Sequence, residues 1–330
     1  MTGGTGSIGR ELTSQLLASG AEVVRVLSND ENGLFEMQLQ FEDDRVRYLL
    51  GDVRDYERMK TAAEDIDFVF HAAALKHVPI GEYNPFEVVM TNVIGTKNLI
   101  DASLENNVRR FLLISTDKAV NPESTMGASK LLCEKLVVDA SAYIGPRRTK
   151  FNCVRFGNVL QTRGSVTEVF TRQVARGGPL TLTDPEMTRF VLDSKTAVNR
   201  VLRASESTEG GEILVIKMKS LRIKDLAEVI IEEFAPLHGL RPSAIQIQIA
   251  GKRPGEKVHE ELMTEAEAAD CVETEEFYVI LPRTFTSHTY KGLKPVAVSP
   301  YTSKDGPLMT REEIRRLLKL SASGPPAEKS

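Results

Sequence analysis

Apolar positions along this chain fall into two rhythms that take turns. Short, mostly apolar runs at 23–27, 47–50, 67–72, 111–115 and 151–155 read as buried strands. Between them, apolar residues recur at helical spacing. The stretch 7–17 stops at Ser19-Gly20. The stretch 56–64 starts behind Asp55, a residue type that caps helices. The stretch 85–106 opens on Pro85, and 126–143 carries Leu131, Leu132, Leu136 and Val137 and ends at Gly145-Pro146. This alternation predicts an α/β fold, a doubly wound parallel sheet with helices on both faces.

After residue 157 the rhythm loosens. A helix is expected at 165–176, closed by Gly177-Gly178-Pro179, then a strand at 212–216, a helix at 221–234 and a strand at 245–249. The basic loop 252–257 follows, and a last helix at 311–320. Residues 1–157 are thus expected to form a Rossmann-like domain, with further strands contributed from beyond 180. Residues 158–283 are expected to form a smaller C-terminal α/β lobe, and 284–330 an extension with a disordered tail. Only Met1 and Thr2 precede the glycine loop that begins at Gly3. A parallel sheet of this kind needs a strand there, so the expectation is that the start lies upstream of this sequence.

Composition narrows the function classes. The 330 residues are 41% hydrophobic and 27% charged, with a net charge of −4 and no basic cluster, which argues against nucleic acid or an anionic membrane surface as partner. Cys133, Cys153 and Cys271 are scattered and odd in number. They suggest neither a disulfide framework nor a metal site, and point to a reducing cytoplasm. No apolar run approaches the ~20 residues of a membrane helix.

Chemistry is expected where strands end. Gly3, Gly6 and Gly9 in GGTGSIG let the backbone approach a pyrophosphate, and the following helix start, with Ser7 and Ile8, offers amide donors. A glycine triplet alone also fits a plain turn; the surrounding strand and helix pattern points to a dinucleotide. Ser28, Asn29 and Asp30 end the second strand, where an acid leans to NAD over NADP. Ala72, Ala73 and Ala74 are small enough for a flat cofactor to lie against the backbone. His71, Lys76 and His77 are exposed candidates. The stretch 115–130, STDKAVNPESTMGASK, supplies Thr116, Asp117, Lys118 and Lys130 at the carboxyl end of a strand. Four residues before Lys130, on the same helix face, stands Met126, whose thioether cannot transfer a proton.

GGTGSIG, GDV, HAAALKHVP, TNVIGT, STDKAVNP and RFGNV occur in this order and together resemble the extended short-chain dehydrogenase/reductases. RGSV, MTRF and RPGEKVHEEL narrow the resemblance to the nucleotide-sugar 4,6-dehydratases of capsule and glycan biosynthesis that act on UDP-N-acetylglucosamine. It spans about residues 2–283. It implies a tightly bound NAD or NADP that is reduced and reoxidised in one turnover, and a homodimer or higher oligomer through helices 85–106 and 126–143. By the same resemblance, Asp52 and Val53 flank the adenine, Lys130 binds the nicotinamide ribose, Thr116 meets the sugar C4 hydroxyl, and Asp117 and Lys118 serve the elimination. Lys118, beside the cofactor's positive ring, would have a depressed pKa suited to a base. Lys76, Met126, Asn158, Arg163, Arg189, Arg253 and Glu256 are the candidates for the UDP-sugar.

Met126 departs from the superfamily pattern, which usually carries tyrosine. None of the seven tyrosines lies in the motif. The wording NPESTMGASK resembles a branch in which methionine is normal, proton transfer passes to Asp117 and the C5 configuration is retained. Two other readings stay open: a 4-epimerase on the same substrates, and a silent module that binds NAD(P) or UDP-sugars.

Overall fold

The computed structural model describes residues 1–282 and 300–322, except 161, 163, 207, 253 and 254. The expected alternation is present. In chain order come α1 (Ser7–Ala18), β1 (Val24–Ser28), α2 (Glu31–Phe41), β2 (Val46–Leu50), α3 (Tyr56–Ala63), β3 (Phe68–His71), α4 (Val78–Tyr83), α5 (Pro85–Val88), α6 (Gly95–Glu105), β4 (Arg110–Thr116), α7 (Thr125–Tyr143) and β5 (Lys150–Phe156). Between α5 and α6, residues Val89–Ile94 form a π-helical turn, so the expected single helix 85–106 is continuous but locally widened. Asp55 caps α3 by accepting from Arg58 N, and Asp30 caps α2 by accepting from Gly33 N.

β1 and β2 pair in parallel, as do β3 with β4 and β4 with β5. The place between β1 and β3 is taken by Met1 and Thr2. Thr2 bridges in parallel to Leu27 and to His71, with its amide donating to Phe70 O while Leu27 N donates to Met1 O. The sheet continues beyond β5 through residues Ile213–Ile216, parallel, and then Phe277–Ile280 and Cys271–Glu273, antiparallel. Its interior is apolar: Phe111 and Phe151 are fully buried with ring centroids 5.2 Å apart, and Val24, Val26, Leu34, Met37 and Val46 close the β1–β2 end.

The chain divides into two compact units. The first takes Met1–Phe156, Val198–Lys217 and the described part of Leu262–Pro300; the second takes Gly157–Ala197, Met218–Glu261 and the described part of Tyr301–Ser330. Strands from beyond 180 join the first unit, as expected, but its boundaries differ from the expected 157 and 283. Strands Ile213–Ile216 and Phe277–Ile280 return to the first unit because their apolar residues extend the parallel sheet next to β5. Helix Arg311–Ala322 belongs to the second unit because Ile314, Leu317 and Leu318 are buried with Leu226 and Ile230 of helix Ile223–Phe234. Arg311 and Arg315 also pair with Glu232, at 3.0 and 2.6 Å. Among the segments that the sequence pattern did not announce are strand Thr188–Leu192, its antiparallel partner Lys219–Arg222, and helix Ser194–Glu206. The first two are short and their pairing is set by partners distant in sequence. The tail 323–330 lies outside the described residues.

Candidate active site

The glycine loop abuts the end of β3. A Cβ on Gly3, which holds φ +66, would stand 2.7 Å from Ala73 N and 2.9 Å from the Ala72 carbonyl carbon, so the two backbones touch. Gly6 begins α1 with no side-chain cap. Together with Ser7, Ile8, Gly9 and the half-buried Ala72, Ala73 and Ala74, this forms a cradle of backbone donors with little side-chain bulk. Those features fit a dinucleotide. Ser28 is buried and its Oγ lies 2.9 Å from Thr5 Oγ1, which ties the end of β1 to the glycine loop. Asp52 is held by Arg54, and Asn29 reaches it at 3.4 Å. Arg54 lowers the Asp52 pKa by direct hydrogen bonding. Val53 is not at the surface: it is buried against Gly95 of α6. Asp30 spends a carboxylate oxygen on its cap, so its role at a ribose is less direct than its position in the sequence suggests.

β4 delivers the reactive stretch. Asp117 is fully buried. Its Oδ1 accepts from Thr116 Oγ1 at 2.8 Å and from Lys118 Nζ at 3.0 Å, whereas Oδ2 is buried and has no hydrogen-bond partner among the described residues. A buried carboxylate oxygen without a donor is costly to a fold, and such costs concentrate at functional sites. The first turn of α7 lies directly behind. A Cβ on Gly127 would come within 2.3 Å of Lys118 O, so only glycine allows this approach. Ser124 caps α7, and Glu82 of α4 accepts from Thr125 N at 2.6 Å. Met126 and Lys130 are both buried, and Lys130 Nζ donates to Ile114 O of β4 at 2.7 Å.

His71 corrects an expectation. It is buried, not exposed. Thr96 Oγ1 donates to Asn92 O at 2.6 Å, so it must accept from His71 Nε2 at 2.9 Å, which leaves Nδ1 to accept from Thr2 Oγ1 at 2.7 Å. Burial, aided by the Lys130 charge, lowers its pKa to about 3. A ring neutral across the physiological range and bonded at both nitrogens serves the fold rather than proton transfer. Lys76 and His77 stay exposed on the loop after β3. That loop is anchored by Asn92, whose amide bonds both Leu75 N and Leu75 O and donates to Ser129 Oγ of α7.

The remaining candidates lie in the second unit. Asn158 Oδ1 and Glu256 Oε2 are buried without a hydrogen-bond partner among the described residues. Arg189 is buried, and its guanidinium is already engaged: it donates to Thr188 O, Val258 O and Lys257 O at 2.7, 3.0 and 2.8 Å. It therefore holds the backbone of the 257–258 segment. Arg163 and Arg253 lie outside the described residues.

A family model described as "Polysaccharide biosynthesis protein" matches residues 1–282. The chain belongs to the polysaccharide biosynthesis protein family. Among its relatives, an uncharacterized membrane protein of Methanocaldococcus jannaschii is 50% identical over 97% of this chain and 94% of its own. A UDP-N-acetylglucosamine 4,6-dehydratase (inverting) of Campylobacter jejuni is 42% identical over 86% and 82%. A UDP-glucose 4-epimerase of Rickettsia conorii is 36% identical over 96% and 94%. The solved structure of Pen from Bacillus thuringiensis superposes with a TM-score of 0.91 at 38% identity, covering 97% of this chain and 96% of that one. A dTDP-glucose 4,6-dehydratase from Streptomyces venezuelae with NAD and TYD bound shares the fold, with a TM-score of 0.69 at 23% identity over 78% and 85%. This family member is thus similar over most of its length to enzymes named as nucleotide-sugar dehydratases and epimerases. No described helix is long and apolar enough to cross a membrane.

Sequence reasoning did not single out Asn92, nor the charged group behind β4. Arg155, in the otherwise apolar run FNCVRF of β5, is fully buried. It donates to Glu134 Oε1 and Oε2 at 3.0 and 2.6 Å, to Glu267 Oε1 and Oε2 at 2.9 and 3.1 Å, and to Leu262 O at 2.9 Å. Burial disfavours the Arg155 charge, but the two carboxylates outweigh it and raise its pKa. A lone arginine in an apolar strand is the signal that could have found them, since such a charge requires buried partners.

The His71 environment makes stability depend on pH. The unfolded ring takes a proton near pH 6.5 and the folded ring only near 3. Below the unfolded pKa the unfolded state binds more protons, so this contribution to stability falls as the pH drops from about 6.5 towards 3, by up to about 1.4 kcal/mol per pH unit. Urea midpoints measured between pH 7 and 5 should fall in the wild type and fall less steeply in His71→Gln.

Proposed function

We propose that the protein is a UDP-N-acetylglucosamine 4,6-dehydratase that forms a 4-keto-6-deoxy sugar with retention at C5. The observation that carries this reading is the buried Asp117 carboxylate, with one oxygen bonded to Thr116 and Lys118 and the other without a partner among the described residues. A bound dinucleotide, NAD or NADP, would be held by the Gly3–Gly9 loop and Lys130 and would supply reversible hydride acceptance for the sugar C4 and C6 positions.

The rest is proton handling by this chain. Thr116 Oγ1 already donates to Asp117, so a C4 hydroxyl donating to Thr116 has a two-step path for its proton to the carboxylate. That path does the work a tyrosine phenolate would do at position 126. The C4 ketone acidifies the C5 proton, because the carbanion delocalises as an enolate. Lys118 and Asp117 stand 3.0 Å apart and divide the elimination: the amine takes the C5 proton while the acid protonates the departing C6 hydroxyl. A base that removes the C5 proton and returns it from the same side retains configuration. Lys130, tethered to Ile114 O, sits on the Met126 face of α7 and is the residue for the nicotinamide ribose. Lys76 and Met126 of the first unit are the proposed contacts to the sugar end of the substrate.

A second reading, 4-epimerisation, is favoured by the Rickettsia relative's name. It leaves the Asp117–Lys118 pair without an elimination to serve. NMR of UDP-N-acetylglucosamine with the protein in deuterium oxide separates the two. Dehydration gives a 6-deoxy-4-ulose with deuterium at C5, and the C5 couplings report retention or inversion. Epimerisation keeps the C6 oxygen and adds no deuterium. Asp117→Asn should lower turnover at least about a hundredfold while NAD(P) binding persists.

Met126→Tyr tests the proton path separately. If the Thr116–Asp117 route is native, the variant gains nothing in kcat. A gain of orders of magnitude would mark methionine as a defect.

The reading includes a second copy of the chain. Ile80 and Tyr83 of α4, Phe86 of α5, and the neighbouring Val89 and Met90 form an exposed apolar face, with Tyr83 and Phe86 88% and 82% exposed. Light scattering should give at least twice the 36.5 kDa chain mass, and Phe86→Glu should reduce it.

A further inference from the structure

Two consecutive turns of α7 are bonded to two consecutive residues of β4. Lys130 Nζ donates to Ile114 O at 2.7 Å, and one turn later Glu134 Oε1 accepts from Ser115 Oγ at 2.5 Å. Ser115 immediately precedes Thr116 and Asp117. Glu134 is held from behind by Arg155, whose five N–H donors each have an acceptor: four carboxylate oxygens from Glu134 and Glu267, and Leu262 O. Glu267 is fixed in turn by a capping box with Thr264. Glu134 and Arg155 are wholly excluded from water. Buried charges of this kind contribute little net stability, but they impose one geometry, because a shifted partner leaves a charge unpaired in a dry interior.

We propose that Ser115, Glu134 and Arg155 are positioning residues that hold Lys130 and the Thr116–Asp117 strand end in register for the reaction. The inference rests on the dehydratase reading. Its logic is local: Met126 brings no side-chain hydrogen bond to the reacting face of α7, so the sideways placement of Lys130 depends on the bonds that α7 makes to β4. Ser115 supplies the rung adjacent to the Lys130 tether. Its loss leaves the Glu134–Arg155 pair intact and removes only that link.

The experiment uses the full chain labelled with [15N]lysine, with NAD present. The Lys130 ammonium signal is identified by its loss in Lys130→Arg. In Ser115→Ala that signal shifts or broadens, and kcat for UDP-N-acetylglucosamine falls about tenfold with KM unchanged, as expected for a small displacement of a catalytic group. Ser115→Thr, which restores the hydroxyl, restores both. Glu134→Gln, which removes one charge at nearly constant volume, produces the same two changes and serves where Ser115→Ala fails to fold. A folded Ser115→Ala with the wild-type ammonium signal, or with the wild-type kcat, overturns the inference, whatever its melting temperature. A wild type that turns over no UDP-N-acetylglucosamine defeats the proposed function instead, and the ammonium signal then decides this inference alone.

Discussion

The approach of α7 to the end of β4 is the constraint on which the rest of the site depends. Gly127 lets the helix start lie against the Lys118 carbonyl, closer than any side chain would permit. Lys130 and Glu134 then fasten the next two turns to Ile114 and Ser115. A shift of the helix by a fraction of a turn would break both bonds and drive the helix into the 117–119 turn. Thr116, Asp117, Lys118 and Lys130 are close in sequence, but this packing fixes their spacing.

The groups around that contact differ in how far their hydrogen-bonding capacity is used. Asp117 keeps a buried oxygen without a donor among the described residues, a cost that the rest of the chain's apolar core must offset. His71 has the opposite character. Both ring nitrogens are bonded, it is neutral at ordinary pH, and it joins Thr2 to Thr96 across the place where the glycine loop leaves the sheet. Arg189 likewise spends its donors on backbone carbonyls and thereby orders the 257–258 segment. A histidine at a strand end invites a functional reading; at His71 the accounting of hydrogen bonds decides against it.

Much of the site was legible because its chemistry is local. The glycine loop, the alanines after β3 and the 115–130 stretch each lie within a short run of sequence, and the strand–helix alternation places them all at one end of a parallel sheet. The Asp55 cap was legible for the same reason, since a cap needs only the three residues that follow it. The Arg155 cluster was not. Its partners stand 21 and 112 residues away, and only an arginine within an apolar strand hinted at them.

The sequence by itself determined the α/β alternation, the Asp55 cap and the place of the glycine loop before α1, because these depend on residue type and spacing within one turn or one strand. Tertiary structure decided the rest. It returned residues 213–216 and 277–280 to the first sheet, placed Thr2 between β1 and β3, and consumed His71 and Arg189 in internal bonds. Strand partners and buried polar contacts are chosen by long-range packing, where the cost of an unpaired buried group outweighs any local preference.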